Sequence, residues 1–314
     1  MALAPFPIDP YLTGIALAYT NEELIAEQVL PSVQVGKQEF KWNRYSLAES
    51  FSIPNTQVGR KSAPNQVEFS ATEVGDFTVN YALDDDIPND DLLNADPRHD
   101  PLGHAALMTA ELIQLDREKR TADIVFDAAA YASSNKVTLS GTDQWSDFSA
   151  SNPLDAIIDQ ALESTAIPMR PNRAVMGSQV WNELRRHPKI LEAIKSTGGA
   201  ITNGMVNVEQ VRALLELDQL LIGRARFNSA KKGQTVSLSR IWGKHALFYR
   251  ANPLANTRRG ITFGYSAQFG SRVAGQEARS EIGMRGGIRV RVGESRKEVI
   301  AAPDCAFLFV NAVA

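Results

Sequence analysis

Apolar residues recur at three- and four-residue steps through the middle of the chain: Ala105, Met108, Leu112, Leu115, Ala122, Phe126 and Ala129. That spacing makes one apolar stripe on a helix. The helix is expected over residues 100 to about 132, because Asp100 can cap the free amides of a first turn and Pro101 suits the first helical position. At about 1.5 Å per residue such a helix is a rod of roughly 45 Å. Asp116 and Arg120 stand four apart and are expected to pair on its solvated side. Taken alone, the stripe fits the core helix of any globular protein.

Upstream the period changes to two. Phe40 and Trp42 alternate with Lys41 and Asn43, and Phe77, Val79, Tyr81 and Leu83 alternate with Thr78, Asn80 and Ala82, the signature of strands with one apolar face. The polar stretch 50–66 between them contains prolines and glycine and reads as the tip of a long two-stranded arm. An isolated hairpin is only marginally stable in water, so a neighbouring subunit is expected beneath it. Residues 1–20 mix Pro5, Pro7 and Pro10 with Phe6, Tyr11, Ile15 and Leu17; the prolines discourage a helix and an extended packed arm is expected. A short helix over 22–29 follows, capped by Thr20 or Asn21 and stopped by Pro31.

Downstream of a polar crossing anchored by Trp145 and Phe148, Asn152 and Pro153 restart a helix with Leu154, Ile157, Ile158, Ala161, Leu162 and Thr165 on one face. Arg173–Gly177 is a short apolar strand feeding Ser178, an expected N-cap, with Val180, Trp181 and Leu184 behind it. Pro188 opens a helix through Ile190 and Ile194. After a flexible loop, 198–207, a helix over 208–217 buries Val208, Val211, Leu214 and Leu215. Strands follow at 219–227 and 239–250 around a turn at 228–234, then a basic turn at 256–260 and a strand at 261–269. Three more strands are expected at 287–292, 297–301 and 304–313. In the first, Ile288, Val290 and Val292 share one face and Arg289 and Arg291 the other.

The 314 residues allow one large core or two smaller ones. A hydrophobic content of 44% and a charged content of 22% are those of a folded soluble protein. The net charge of -3 argues against a whole-chain electrostatic grip on nucleic acid. Cys305 is the only cysteine, so no intrachain disulfide forms. No apolar run reaches the ~18 residues of a membrane span, and the first 19 residues lack the basic start of a signal peptide. A cytoplasmic product is expected.

Candidate chemistry is sparse. Asp84, Asp85, Asp86, Asp90, Asp91, Asp96 and Asp100 form the densest charge cluster. It could hold a hard cation but lacks the glycine and glutamate spacing of a calcium loop, and a solvated turn that favours the following helix start explains it as well. His99, His104, His187 and His245 stand in no catalytic motif; His99 and His187, near prolines, are expected in turns or at the surface. The Gly–Lys pair before His245 has the wrong spacing for a phosphate loop. No catalytic, cofactor-binding or metal-ligating residue is therefore expected, and the protein is read as not an enzyme.

The order of elements is a short N-terminal segment, a long hairpin, an acidic turn ending in Asp-Pro and a long helix carrying DREKRTADIVFDAAAY (116–131). A strand, a capped helix with a Trp-x-x-Leu pair and a His-Pro break follow over 173–194. This resembles the major capsid proteins of tailed bacteriophages, with the Hong Kong 97 type of fold. The resemblance implies an α+β phage capsid fold with a long spine helix, an extended β-hairpin arm (the E-loop) and an axial α/β domain. It implies an N-terminal arm at 1–36, the hairpin at 37–86, a peripheral domain at 87–151 and 270–314 with the final strands beside the spine, and the axial domain at 152–269.

The implied function is that of a late structural protein of the virion. It self-assembles as hexamers and pentamers into the icosahedral head enclosing phage DNA, and is put together in the host cytoplasm. An encapsulin-like nanocompartment shell is the alternative. Implied partners are other copies, a separate scaffolding protein (the family pattern starts almost at Met1), a portal, a decoration protein and non-specifically bound double-stranded DNA, with no membrane. Three readings stand for Arg285, Arg289, Arg291, Arg296 and Lys297: phosphate contact, pairing with acidic residues such as the aspartate cluster of another subunit, or solvation. Some relatives cross-link subunits, for which Lys61 and Asn311 are the candidates here. On this reading Phe40→Asp or Trp42→Asp should leave a folded monomer that cannot form shells.

Overall fold

The computed structural model describes residues 6–19, 21–45, 51–67, 71–96, 99–196, 204–231, 233–253 and 260–314. In chain order these contain α1 (Pro10–Ala18), α2 (Ala26–Val29), β1 (Ser32–Val35), β2 (Glu39–Tyr45), β3 (Ala71–Phe77), β4 (Val79–Pro88), α3 (Asn89–Asn94) and the spine helix α4 (Pro101–Val125). Then come β5 (Lys136–Thr138), α5 (Pro153–Ala156, widening into a π-type turn at Ile157–Leu162), β6 (Arg173–Gly177), α6 (Ser178–Leu184), α7 (Pro188–Ser196) and α8 (Val208–Leu214). The chain ends with β7 (Gln219–Gly223), β8 (Arg226–Asn228), β9 (Leu238–Arg240), β10 (Ala246–Tyr249), β11 (Gly264–Arg279), β12 (Gly287–Ile300) and β13 (Ala306–Val310).

Strands β6, β10 and β13 are almost continuous apolar runs, which suits a sheet covered on both faces. They lie in a five-stranded sheet of order β5-β13-β10-β6-β7. One face meets the following helices through Met176, Phe248, Phe309, Trp181, Leu184 and Ile190. The other meets the C-terminal end of the spine and Trp242 through Val175, Leu247, Leu308, Ala122 and Val125. β13 pairs antiparallel with β10, so the last strand packs on the end of the spine from within this sheet and does not return to the peripheral one as expected. Its sequence AFLFV is apolar at every position, and only a doubly covered place buries both its faces.

The second sheet has the order β1-β11-β12-β4. The two strands expected at 287–292 and 297–301 are one strand, β12, because residues between them continue the ladder with β11 and β4. β11 carries a bulge after Phe269, where Gly270 takes φ 69°, a left-handed conformation that glycine adopts without steric cost.

α1 and the spine cover one face of this sheet, and the cover changes character along its length. Leu12, Ala16, Ala105, Ala106, Ala110 and Ile113 pack on Val290 and Val292. Further along, the side chains on that face of β12 are Glu294, Arg296 and Glu298, all buried. The spine meets them with Arg117, Glu118 and Thr121, also buried. Arg120 bonds Glu298 at 3.2 Å and sits 3.5 Å over the Tyr81 ring. A charged sheet face needs charged partners when covered, so the buried stripe of the spine is not the expected one. Met108 and Leu112 are 43% and 54% exposed.

Within this seam Glu118 is the most fully bonded group. Its carboxylate accepts from the Ile25 and Ala26 amides at 3.0 and 2.7 Å and from Trp242 Nε1 at 2.6 Å. Burial raises its pKa against the pull of those three donors.

Other local expectations divide. Asp116 and Arg120 pair as expected. Pro101 opens the spine, but Asp100 makes no capping bond and instead accepts from the Tyr11 hydroxyl at 3.1 Å. The spine stops at Val125, short of 132, because Asp127 caps a separate turn at Ala129 and Tyr131 donates to the Val125 carbonyl at 2.6 Å. Residues 10–18 form a helix where an extended arm was expected: Pro10 occupies its first turn and Asp9 accepts from the Tyr11 and Leu12 amides. The helix expected over 22–29 is the single turn α2. Ser178 opens α6 without capping it and accepts from Arg240 at 2.5 Å. Most of the loop 198–207 and of the basic turn 256–260 lies outside the described residues.

His187 lies in the turn between α6 and α7, one of its two expected places, but is fully buried and not at the surface. Its Nδ1 accepts from the Lys189 amide at 3.2 Å and its Nε2 lies 3.1 Å from Ser151 Oγ, which donates to the Asp147 carbonyl. Burial lowers the pKa of His187, with Lys189 adding to the effect, and burial alone lowers that of His245. Unfolding frees both imidazoles to protonate near the ordinary ~6.5. Between that value and their lower folded values the unfolded chain binds more protons, so stability is full above pH ~6.5 and falls as the pH drops through that window. Urea midpoints at pH 7.5, 6.5 and 5.5 should decline in that order, and the decline should be shallower in His187→Asn.

Candidate assembly surfaces

β2 and β3 form the hairpin, with Glu39 opposite Phe77 and Tyr45 opposite Ala71. The expected second arm, 77–83, belongs instead to β4, which pairs along β12. Phe40 and Trp42 are 6% and 7% exposed and pack on Tyr265, Ala267 and Val299. The hairpin base therefore lies on its own sheet, on the face opposite the spine. The tip does not: residues 51–67 are exposed throughout. Within it Ile53 is 98% exposed, and Phe51, Val58 and Val67 are exposed beside it. Four apolar side chains on one exposed segment give the tip more apolar surface than single scattered residues would, which suits contact with another protein. Lys61 lies in this tip, while Asn311 follows β13 in the other sheet with φ 53°.

The basic strand finds its acids within the same chain. Register places Arg291 opposite Asp84 and Arg289 opposite Asp86. Each guanidinium grips its carboxylate through two bonds, at 2.6 and 2.7 Å for Arg291 and 2.6 and 2.8 Å for Arg289. These hydrogen bonds lower the pKa of both aspartates. Arg285 reaches Asp90 at 3.2 Å and Lys297 lies 3.7 Å from Asp76. Half-exposed pairs of this kind add little stability, but bidentate geometry fixes the register of β4 on β12. For Arg289 and Arg291 the acidic partners stand across one ladder of the same chain. Arg296, opposite Val79 in the same ladder, is instead buried in the seam under the spine.

Of the aspartate cluster, Asp84, Asp86 and Asp90 are occupied by these arginines. Among the described residues no group of three or more His, Cys, Asp or Glu side chains could hold a metal ion. The histidines are not gathered: His99 and His104 stand 5.8 Å apart near the spine start, while His187 is buried and His245 half-buried in separate surroundings. Cys305 is buried and burial pushes its thiol up to about 11. No described helix is long and apolar enough to cross a membrane.

Exposed apolar side chains outside the tip include Phe77, Leu83, Leu93, Met108, Leu112 and Met284. Sequence periodicity missed them because it assigns apolar residues to a core; their only signal was that more apolar positions occur on the spine than one stripe can bury.

A chain with two sheets, a long helix spanning them and a projecting hairpin has the architecture of phage capsid proteins of the Hong Kong 97 type. The crystal structure of a phage-related protein from Bordetella bronchiseptica superimposes with a TM-score of 0.73 at 22% identity, covering 98% of each chain. The family model for phage major capsid protein E matches residues 124–228. The major capsid protein of Pseudomonas phage JBD67 is 54% identical over 314 residues, all of both chains. That of Burkholderia phage BcepMu is 32% identical over 244 residues, 75% of this chain and 74% of the relative. The protein belongs to the phage major capsid protein family.

Proposed function

We propose that copies of this chain assemble as hexamers and pentamers into the icosahedral shell of a phage head around double-stranded DNA, in the host cytoplasm. The full-length 54% identity to a phage major capsid protein carries the reading, and the apolar hairpin tip supplies a surface fit for joining subunits. The axial domain, residues 152–263 of the expected 152–269 with β5 and β13 completing its sheet, surrounds the local symmetry axes; the peripheral sheet (with β11 from Gly264), spine and hairpin tie neighbours together. The role is structural and not enzymatic. A separate scaffolding protein, a portal and a decoration protein complete the assembly, and DNA is touched without sequence preference. The encapsulin-like alternative rests on shared fold and is less supported than the phage-head reading, which rests on sequence matches along the chain.

Expression alone and with the neighbouring genes, followed by electron microscopy and size-exclusion chromatography, tests this. Shells of uniform diameter are expected in one of the two conditions. A monodisperse 34.4 kDa species in both would overturn it. Ile53→Asp should abolish shells while shifting the subunit's own stability by no more than about 0.5 kcal/mol, as exposed substitutions do. Normal particles from that variant would remove the tip from the subunit contact.

A further inference from the structure

Charge is divided unevenly along this chain. Residues 219–276 hold ten arginines and lysines and no aspartate or glutamate, so all 36 acidic residues lie outside that stretch. Within it the β8–β9 ribbon stands out from the body, with most of its turn exposed. Arg226, Asn228 and Leu238 share one face of the ribbon, while Phe227 on the other lies 5.8 Å from Nζ of Lys119 on the spine. Arg224, Arg226 and Lys231 are exposed. Among the described residues, no basic side chain between Arg212 and Arg272 is in an ion pair.

A surface of opposite sign lies at the start of the spine. Asp85 and Asp91, with His99 and His104, line an open cavity of about 280 Å³ that also touches Ile87 and Ala95. Asp84, Asp86 and Asp90 are held by arginines. Asp85 and Asp91 are exposed and take part in no ion pair among the described residues. Leu83 on β4 and Leu93 on α3, each two residues from one of these aspartates, are exposed as well. The ribbon meets the spine at Lys119 and the cavity meets it at Pro101 and His104. At 1.5 Å per residue those stations are roughly 25 Å apart, so the two surfaces do not meet within one chain.

We infer that the β8–β9 ribbon of one copy docks against this acidic end of the next, with Arg226 and Lys231 meeting Asp85 and Asp91. The inference rests on the shell reading above and names one of its contacts. Because the two patches differ, the contact is head-to-tail, and such contacts close into rings when their rotation allows. DNA is the other polyanion in a phage head. Val236 and Leu238 favour a protein: both are exposed on the ribbon beside its cations. A phosphate backbone offers them no apolar cover, whereas Leu83 and Leu93 do.

Charge reversal tests the contact. Arg226→Glu with Lys231→Glu, and separately Asp85→Lys with Asp91→Lys, should each weaken subunit association at least about tenfold. Sedimentation of purified subunits and micrographs of shells read the effect. All four changes in one chain should restore association, because the charges then match again with their signs exchanged. The positions are exposed, so the fold should be kept, and urea midpoints check this. If one pair does not fold, the unmodified protein serves: its association should weaken from low to high salt. Association undiminished by either reversal, not restored by the combination, or indifferent to salt overturns the inference and leaves the shell reading standing where shells form. Normal shells that lack DNA in the ribbon-reversed variant also overturn it and assign the ribbon to DNA. A 34.4 kDa monomer from the unmodified protein under every condition removes both readings.

Discussion

Glu118→Ala should destabilise the subunit by about 3–5 kcal/mol, the largest effect expected of any single polar substitution in this chain. The loss is not of a charge but of an acceptor. Three donors, the amides of Ile25 and Ala26 and the indole N–H of Trp242, converge on this carboxylate, and alanine leaves all three buried and unbonded. Those donors come from α2 and its approach and from the chain before β10, so the substitution also unties the N-terminal segment from both sheets. Urea denaturation of unassembled subunits measures the loss. Glu118→Gln keeps one carbonyl acceptor and should lose less. A Glu118→Ala midpoint within experimental error of the unchanged protein would mean that the N-terminal segment is not anchored there.

Trp42→Asp should cost a further large amount, about 3–5 kcal/mol for the lost aromatic burial, before the cost of placing a carboxylate against Tyr265, Ala267 and Val299. The position was expected to face a neighbouring subunit, which would have given a stable monomer unable to assemble. The packing instead predicts that stability and shell formation fail together, whereas Ile53→Asp at the tip should separate them. Melting curves and micrographs of both variants decide this. A Trp42→Asp subunit of unaltered stability that forms no shells would restore the earlier reading.

Much of the fold was legible because local chemistry dictated it. Pro101 at the spine start, the Asp116–Arg120 pair, the bounds of β6, and the buried Trp181, Leu184, Ile190 and Ile194 all follow from spacing within a few residues. The family resemblance also rested on such short runs, notably 116–131 and 173–194. The candidate surfaces were half legible. The hairpin was visible in its alternation, but its second arm was displaced by one strand, since 71–77 carries weaker alternation than 77–83. The acidic cluster and the basic strand were both visible, and only their partnership was not.

The sequence by itself therefore determined the place and kind of most elements and the family they belong to, because backbone torsion and side-chain period are set by neighbours along the chain. Tertiary structure alone decided which faces meet. Arg117 and Glu118 are buried and Met108 and Leu112 exposed because β12, some 180 residues away, presents Glu294, Arg296 and Glu298 to that stretch of the spine. The same holds for β13, whose apolar run would suit any doubly covered sheet and whose place was settled by its pairing with β10. Register between distant strands depends on contacts that periodicity along one strand does not encode.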